Sequence, residues 1–258
     1  MKKILVSFIQ DRSGSMGTVW EETLNGFKKY VDDLKADQAK DSEVEYLLTL
    51  TTFDTIIDTP HLGTKITDVD GDILKKYGPR GATALYDAVG KTIQAIDDNK
   101  TLTFDKAIVV IVTDGEENSS KEYSKEALHA AIDERIKRGN WTFTYLGTQP
   151  ETWDEASSLG VGVGASATYN AQNAPAVYAV MAAATTGQSR SVHANSTSFL
   201  HANTTPVMRA SVGIKTATDD DTVPVSTTGS QSWISHPVGP VSVKTTAPKK
   251  PGKNRRWK

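Results

Sequence analysis

A chain of 258 residues has room for one large domain or for a domain with an appendage, and a hydrophobic fraction of 38% is low enough that part of it is expected to lack a core. The absence of cysteine excludes disulfides, thiolate metal sites and cysteine nucleophiles. The net charge of −2 hides a division, because residues 1–187 carry 28 acids against 19 bases and residues 188–258 carry three acids against ten bases.

The chain begins MKK and continues into the apolar run Ile4–Ile9, a start that resembles a secretion signal. The run is short, however, and Gln10, Asp11 and Arg12 follow it without a small-residue cleavage site. No later stretch approaches the ~20 apolar residues that cross a bilayer. The expectation is a soluble protein with no membrane partner, not exported by a signal peptide, and located in the cytoplasm or in a virion.

Ile4–Gln10 then reads as a first strand. Trp20–Lys35 follows as a helix, with Leu24, Phe27, Val31 and Leu34 at spacings of three and four. Glu45–Phe53 is a second strand, and Thr55–Thr67, which contains Pro60 and Gly63, reads as an edge hairpin. Thr83–Asp97 repeats the helical period through Leu85, Val89, Ile93 and Ile96. Lys106–Thr113 (KAIVVIVT) is a continuous β-branched run, as expected of a strand buried on both faces. Ser124–Arg138 is a helix and Trp141–Gly147 (WTFTYLG) a strand. Two helices with Pro in the first turn, Pro150–Leu159 and Pro175–Ala184, flank a short strand near Gly162–Thr168. This alternation predicts an α/β domain over residues 1–187, doubly wound, with a mostly parallel central sheet flanked by helices.

Past Gly187 the periodicity ends. Residues 188–258 hold 20 Ser or Thr, six Pro and no Glu, and close on KKPGKNRRWK. Such a segment buries too little apolar area to offset its ordering entropy, so it is expected to be an extended arm. Thr205–Ile214 and Gln231–Val243 are β-prone pieces that can add to a neighbour's sheet edge. The basic end can hold nucleic acid through phosphates, with Trp257 stacking on a base, clamp an acidic protein surface, or remain solvated. Neighbouring subunits of a large assembly, such as a phage virion, would be what orders the arm.

In a parallel α/β sheet, ligands gather at the carboxyl ends of the strands. Asp11, Ser13 and Ser15 stand in DRSGSM directly after the first strand, Thr83 in PRGATALYDA at a helix start, and Asp114 in TDGEEN after KAIVVIVT. Two carboxylates and three hydroxyls are hard oxygen donors, suited to Mg²⁺ or Mn²⁺ and less to Ca²⁺. Each motif also has a plainer reading: Ser and Asp cap helices, Thr83 alone is an N-cap, and Asp114-Gly115 alone is a turn. Asp54 can be a carboxylate that supports the site from behind or an ordinary strand-end residue, the reading favoured here, and Glu116 and Glu117 read as residues that tune the field near Asp114. Asp87 can orient a backbone group or face solvent. The five histidines show no ligand spacing.

Together, D-R-S-G-S-M, G-A-T-A-L-Y-D-A and V-T-D-G resemble the metal-ion-dependent adhesion site of a von Willebrand factor A domain. The resemblance covers roughly residues 1–187 and says nothing of the arm. It implies that Ser13, Ser15 and Thr83 contact a metal, that Asp11 and Asp114 hold it directly or through water, and that a partner protein supplies a carboxylate to an open position. The function expected is a metal-dependent interaction module, not an enzyme, anchored by its arm in a large assembly. The alternatives are an intracellular adaptor of an ATPase or stress-response complex, and a metal-dependent phosphohydrolase. No phosphate-cradling G-x-x-x-x-G-K-[ST], no G-x-S-x-G and no H-E-x-x-H occurs.

Overall fold

The computed structural model describes residues 1–148, 152–191 and 199–203. In chain order its elements are β1 (Lys2–Asp11), α1 (Trp20–Lys40), β2 (Val44–Phe53), β3 (Ile57–Lys65), α2 (Leu85–Asp98), β4 (Lys106–Val112), α3 (Lys125–Lys137), β5 (Trp141–Gly147), α4 (Thr152–Ser158), β6 (Ser166–Thr168), α5 (Ala174–Arg190) and α6 (Phe199–Ala202). A single six-stranded sheet runs β3-β2-β1-β4-β5-β6, parallel throughout except for the antiparallel edge strand β3. This is the doubly wound α/β fold expected. The order reverses between β1 and β4, where Ile4 pairs with Lys106 and Gln10 with Val112.

The strands form where the sequence is apolar on both alternating faces. All ten residues of β2 and all seven of β4 are buried, as helices on both sides of the sheet require. On one face α1 packs against α5, and on the other α2 lies over β1, β2 and β3 and touches α3. The α1–α5 side is built around Phe8, whose ring meets Phe27 edge-on at 5.0 Å, Tyr30 at 5.5 Å and Tyr178 at 6.4 Å. Gly26 lets the two helices meet, since a Cβ there would lie 2.3 Å from the Tyr178 ring.

Several boundaries differ from the sequence reading. Thr55–Thr67 supplies one strand, β3, which makes its hairpin with β2 and keeps Pro60 on the sheet edge. Helix α1 extends past Lys35 to Lys40, and α5 runs past both Ala184 and the boundary expected at 187 to reach Arg190. Two lysines hold the end of α5. Lys2 Nζ donates to the Ser189 and Ser191 carbonyls at 2.7 and 3.0 Å, and Lys106 Nζ to those of Gln188 and Ser191 at 3.0 and 2.6 Å. Cations there complement the unpaired carbonyls and the negative end of the helix dipole. Asn203 Nδ2 donates to Gln188 Oε1 at 3.1 Å, tying α6 to the same helix end. Apart from residues 188–191 and 199–203, the expected arm, with its β-prone pieces and basic end, lies outside the described residues. Among the described residues, no helix is long and apolar enough to cross a membrane.

Candidate metal centre

All five residues singled out in the sequence lie at the carboxyl edge of the sheet, beside the reversal between β1 and β4. Asp11 is the last residue of β1 and is fully buried. Its Oδ1 accepts from the Ser13 backbone N–H at 2.6 Å and its Oδ2 from the Thr113 hydroxyl at 2.6 Å. The Ser13 and Ser15 hydroxyls are 3.1 Å apart, and Ser15 Oγ donates to Asp114 Oδ1 at 2.8 Å. The Thr83 hydroxyl lies near that of Ser15 across Gly115: a Cβ added to Gly115 would lie 3.3 Å from Thr83 Oγ1 and 3.4 Å from Ser15 Oγ. Glycine at 115 therefore keeps the space between the two hydroxyls clear.

The capping readings do not hold. Ser13 precedes a short 3₁₀ turn, Gly14–Thr18, but makes no side-chain cap bond to it. The residue before α2 is Ala84, not Thr83, and it makes no side-chain cap bond either. The free N–H groups of α2 are satisfied from across the domain. Tyr86 N–H donates to Glu117 Oε2 at 2.9 Å and Asp87 N–H to Ser120 Oγ at 3.0 Å. Both hydroxyls are thus left for the site.

Burial raises the Asp11 carboxyl to about 6, against hydrogen bonds from Thr113 and Ser13 that lower it, with the nearby Asp114 charge adding to the rise. Burial also raises Asp114, opposed by the Ser15 hydroxyl. A buried carboxylate beside a half-buried one, with no countercharge between them, is unfavourable alone and favourable around a cation. Among the described residues no three His, Cys, Asp or Glu converge.

Some residues that build the site have no role in the sequence reading, and others have one that it leaves open or does not favour. Thr113 holds Asp11 although it passes as the end of an apolar strand. Asp54 is no ordinary strand end: it pairs with Arg80 Nε at 2.8 Å and Arg12 Nε at 3.3 Å, and accepts from Ile56 N–H at 2.6 Å. Burial pushes its pKa up, but Arg80, the Ile56 N–H and Arg12 outweigh it and the net shift is downward. Arg12 lies 4.9 Å over the Tyr77 ring. Backbone bonds from Arg80 N–H to Arg12 O at 2.9 Å and from Gly14 N–H to Gly81 O at 3.2 Å stitch the same two loops. Asn118 Oδ1 accepts from Thr83 N–H at 2.8 Å. Asp87 takes the first of its two readings and orients backbone: its carboxylate accepts the N–H groups of Lys121, Glu122 and Tyr123 at 2.8, 2.9 and 2.8 Å. Sequence separation hid these partners; only Thr113, within V-T-D-G, carried a local signal.

A mostly parallel sheet with one antiparallel edge and helices on both faces is the architecture of the von Willebrand factor A fold, and the likeness to solved structures of that fold shows that the chain has it. Among solved structures it is similar to a von Willebrand factor type A protein from Catenulispora acidiphila, with TM-score 0.53 and 18% identity over 72% of this chain and 43% of that one. It is similar to the vWF domain of the type V pili tip protein Mfa5 from Porphyromonas gingivalis, with TM-score 0.54 and 11% identity over 70% and 94% of the two chains. A third likeness is to proximal thread matrix protein 1 of the mussel byssus with a zinc-occupied MIDAS motif, with TM-score 0.50 and 13% identity over 70% and 46%. The chain thus spans less than half the length of the first and third. No family model matches the sequence, and no curated protein matches it.

Proposed function

We propose that the chain is a divalent-metal-dependent protein-interaction module whose ligands are Asp11, Ser13, Ser15, Thr83 and Asp114. The observation that carries this reading is the meeting of three loops in one ring of two carboxylates and three hydroxyls, with the Ser13 and Thr83 hydroxyls left unused for capping. A divalent cation bound there supplies a positive centre with a position for an oxygen of a partner's carboxylate. Neutral hydroxyls leave much of that charge for the partner, while Asp54, Asp87 and Asn118 fix the loops and add no charge at the ring itself. The oxygen-only donor set favours Mg²⁺, with Mn²⁺ next and Ca²⁺ less well served. Zinc in the matched mussel protein's site supports a divalent metal in general.

Binding is favoured over phosphoryl transfer by one specific feature. Transfer needs a cation free to meet developing charge, whereas Arg12 is buried and turned onto Asp54 and Arg80 pairs with the same carboxylate. The composition of residues 188–258 supports an arm that anchors the domain in a larger assembly, a virion being one such setting; tethering to an intracellular complex is the alternative.

Water-proton relaxation of the Mn²⁺-loaded protein tests the open position. Adding acetate should displace metal-bound water and lower the relaxation enhancement. An unchanged enhancement on a protein that binds Mn²⁺ would contradict the carboxylate-acceptor reading. Turnover of a phosphate ester that is lost in Asp114→Ala would overturn it in favour of an enzyme.

A further inference from the structure

The five candidate ligands come from separate loops, so the space between them is set by how firmly those loops are joined. Two of the loops, the one after β1 and the one before α2, are joined to each other through Asp54, in the turn between β2 and β3. Asp54 is only 1% exposed. Its backbone carbonyl accepts the Ala84 N–H at 3.2 Å, one residue beyond Thr83. Its Oδ1 closes its own turn by accepting the Ile56 N–H at 2.6 Å. Its Oδ2 accepts from Arg80 Nε at 2.8 Å and lies 3.3 Å from Arg12 Nε, an ion pair without an aligned hydrogen bond.

Arg12 stands between Asp11 and Ser13, and its other contacts leave it little freedom. Its Nη2 donates to the Ile56 carbonyl at 3.3 Å, and its guanidinium carbon lies 4.9 Å from the centre of the Tyr77 ring. Its backbone N–H donates to Phe53 O at 2.7 Å, and its carbonyl accepts the Arg80 N–H at 2.9 Å. Gly81, at φ +68°, lets the loop before α2 close on this turn, since a Cβ there would lie 3.3 Å from Thr55 Oγ1 and 3.5 Å from Asp54 Cβ. One carboxylate thus ties the place of Ser13 to that of Thr83.

Oxygen donors do not by themselves exclude Ca²⁺, because both it and Mg²⁺ are hard cations. The difference is geometric. Mg²⁺ demands a near-ideal octahedron at about 2.0–2.1 Å, whereas Ca²⁺ accepts looser shells at about 2.3–2.6 Å. Loops that drift apart admit the larger ion, and loops clasped together hold the smaller one.

We propose that Asp54, through Arg12 and Arg80, is a positioning residue that gives the site its preference for a small divalent cation over Ca²⁺. The inference rests on the proposed metal site and adds what selects its ion.

Titration calorimetry of Mg²⁺ and of Ca²⁺ into the full chain and two variants tests it. Asp54→Asn keeps the turn oxygen and removes the charge between the two guanidinium groups. Arg80→Gln alters a side chain that is 58% exposed and leaves its backbone bond to Arg12 in place. Asp54→Asn should weaken Mg²⁺ about tenfold and Ca²⁺ less than about threefold, and Arg80→Gln should move the ratio the same way by about threefold. A merely structural role would weaken both ions by the same factor. Equal factors in the two variants, or unchanged Mg²⁺ affinity in Asp54→Asn, would overturn the proposal; if Asp54→Asn does not fold, the Arg80→Gln ratio decides. In chelator, hydrogen exchange at the Gly14, Arg80 and Ala84 amides should quicken in both variants relative to the amides of β4, and unchanged exchange would likewise overturn it. A wild type that binds neither ion would overturn the metal reading itself, and the ion preference with it, even where that exchange still quickens.

Discussion

At the scale of the residue, Asp11 sets the character of the site. Its carboxyl, raised to about 6 by burial, is costly as an anion in the metal-free fold. A carboxyl whose folded pKa lies above its ordinary 3.8 binds more protons folded than unfolded, so its cost is absent below that value and fully present above about 6. Asp11→Asn keeps the shape and removes the charge. In chelator at pH 7.5 this variant should therefore melt several degrees higher than the wild type, the gap closing as pH falls toward 4, as scanning calorimetry would read. An equal or lower melting temperature at pH 7.5 would mean that the buried charge is already compensated. The five candidate ligands were legible because each motif is local and follows a recognisable strand. The fasteners were not: the meaning of Asp54 depends on Arg80, and that of Asp87 on residues 121–123, contacts that only the folded chain creates.

At the scale of the element, the close approach of α1 and α5 is the tightest packing constraint. Gly→Ala in a helix interior ordinarily stabilises by about 1 kcal/mol. At Gly26 the new methyl would meet the Tyr178 ring, and overpacking of this kind costs about 1–3 kcal/mol. Gly26→Ala should therefore lower stability in urea melts; a gain would show that Tyr178 can turn aside. The central strands were readable because burial on both faces demands unbroken apolar runs, as in KAIVVIVT. The true length of α5 was not. Its last turns, Thr185 to Arg190, look polar in sequence, yet Thr185 bonds the buried Tyr30 hydroxyl at 2.8 Å and Arg190 pairs with Asp37 at 2.9 Å. Polar residues satisfied by tertiary partners leave no hydrophobic period to detect.

At the scale of the whole molecule, the two ends of the sheet do different work. The carboxyl edge gathers the ligand candidates, and the amino edge uses Lys2 and Lys106 to hold the end of α5. Burial, and then the neighbouring Lys2 charge, lowers the Lys106 pKa from 10.5 to about 8. The folded state then binds fewer protons than the unfolded state between those values, so this group makes stability rise with pH across that window. The slope between pH 8 and 9.5 should flatten in Lys106→Met, measured by chemical denaturation at several pH values; an unchanged slope would place the effect elsewhere.

The fold class was readable from the alternation of runs and periods, while the role of residues 188–258 rests on composition alone. In the proposed reading, loops far apart in sequence make one metal site. Titration calorimetry of Mg²⁺ into the wild type, Asp11→Ala and Thr83→Ala tests it most directly. A single site built from these loops should give saturable one-site binding to the wild type, none to Asp11→Ala and binding at least tenfold weaker to Thr83→Ala. Wild-type affinity in Asp11→Ala would contradict it.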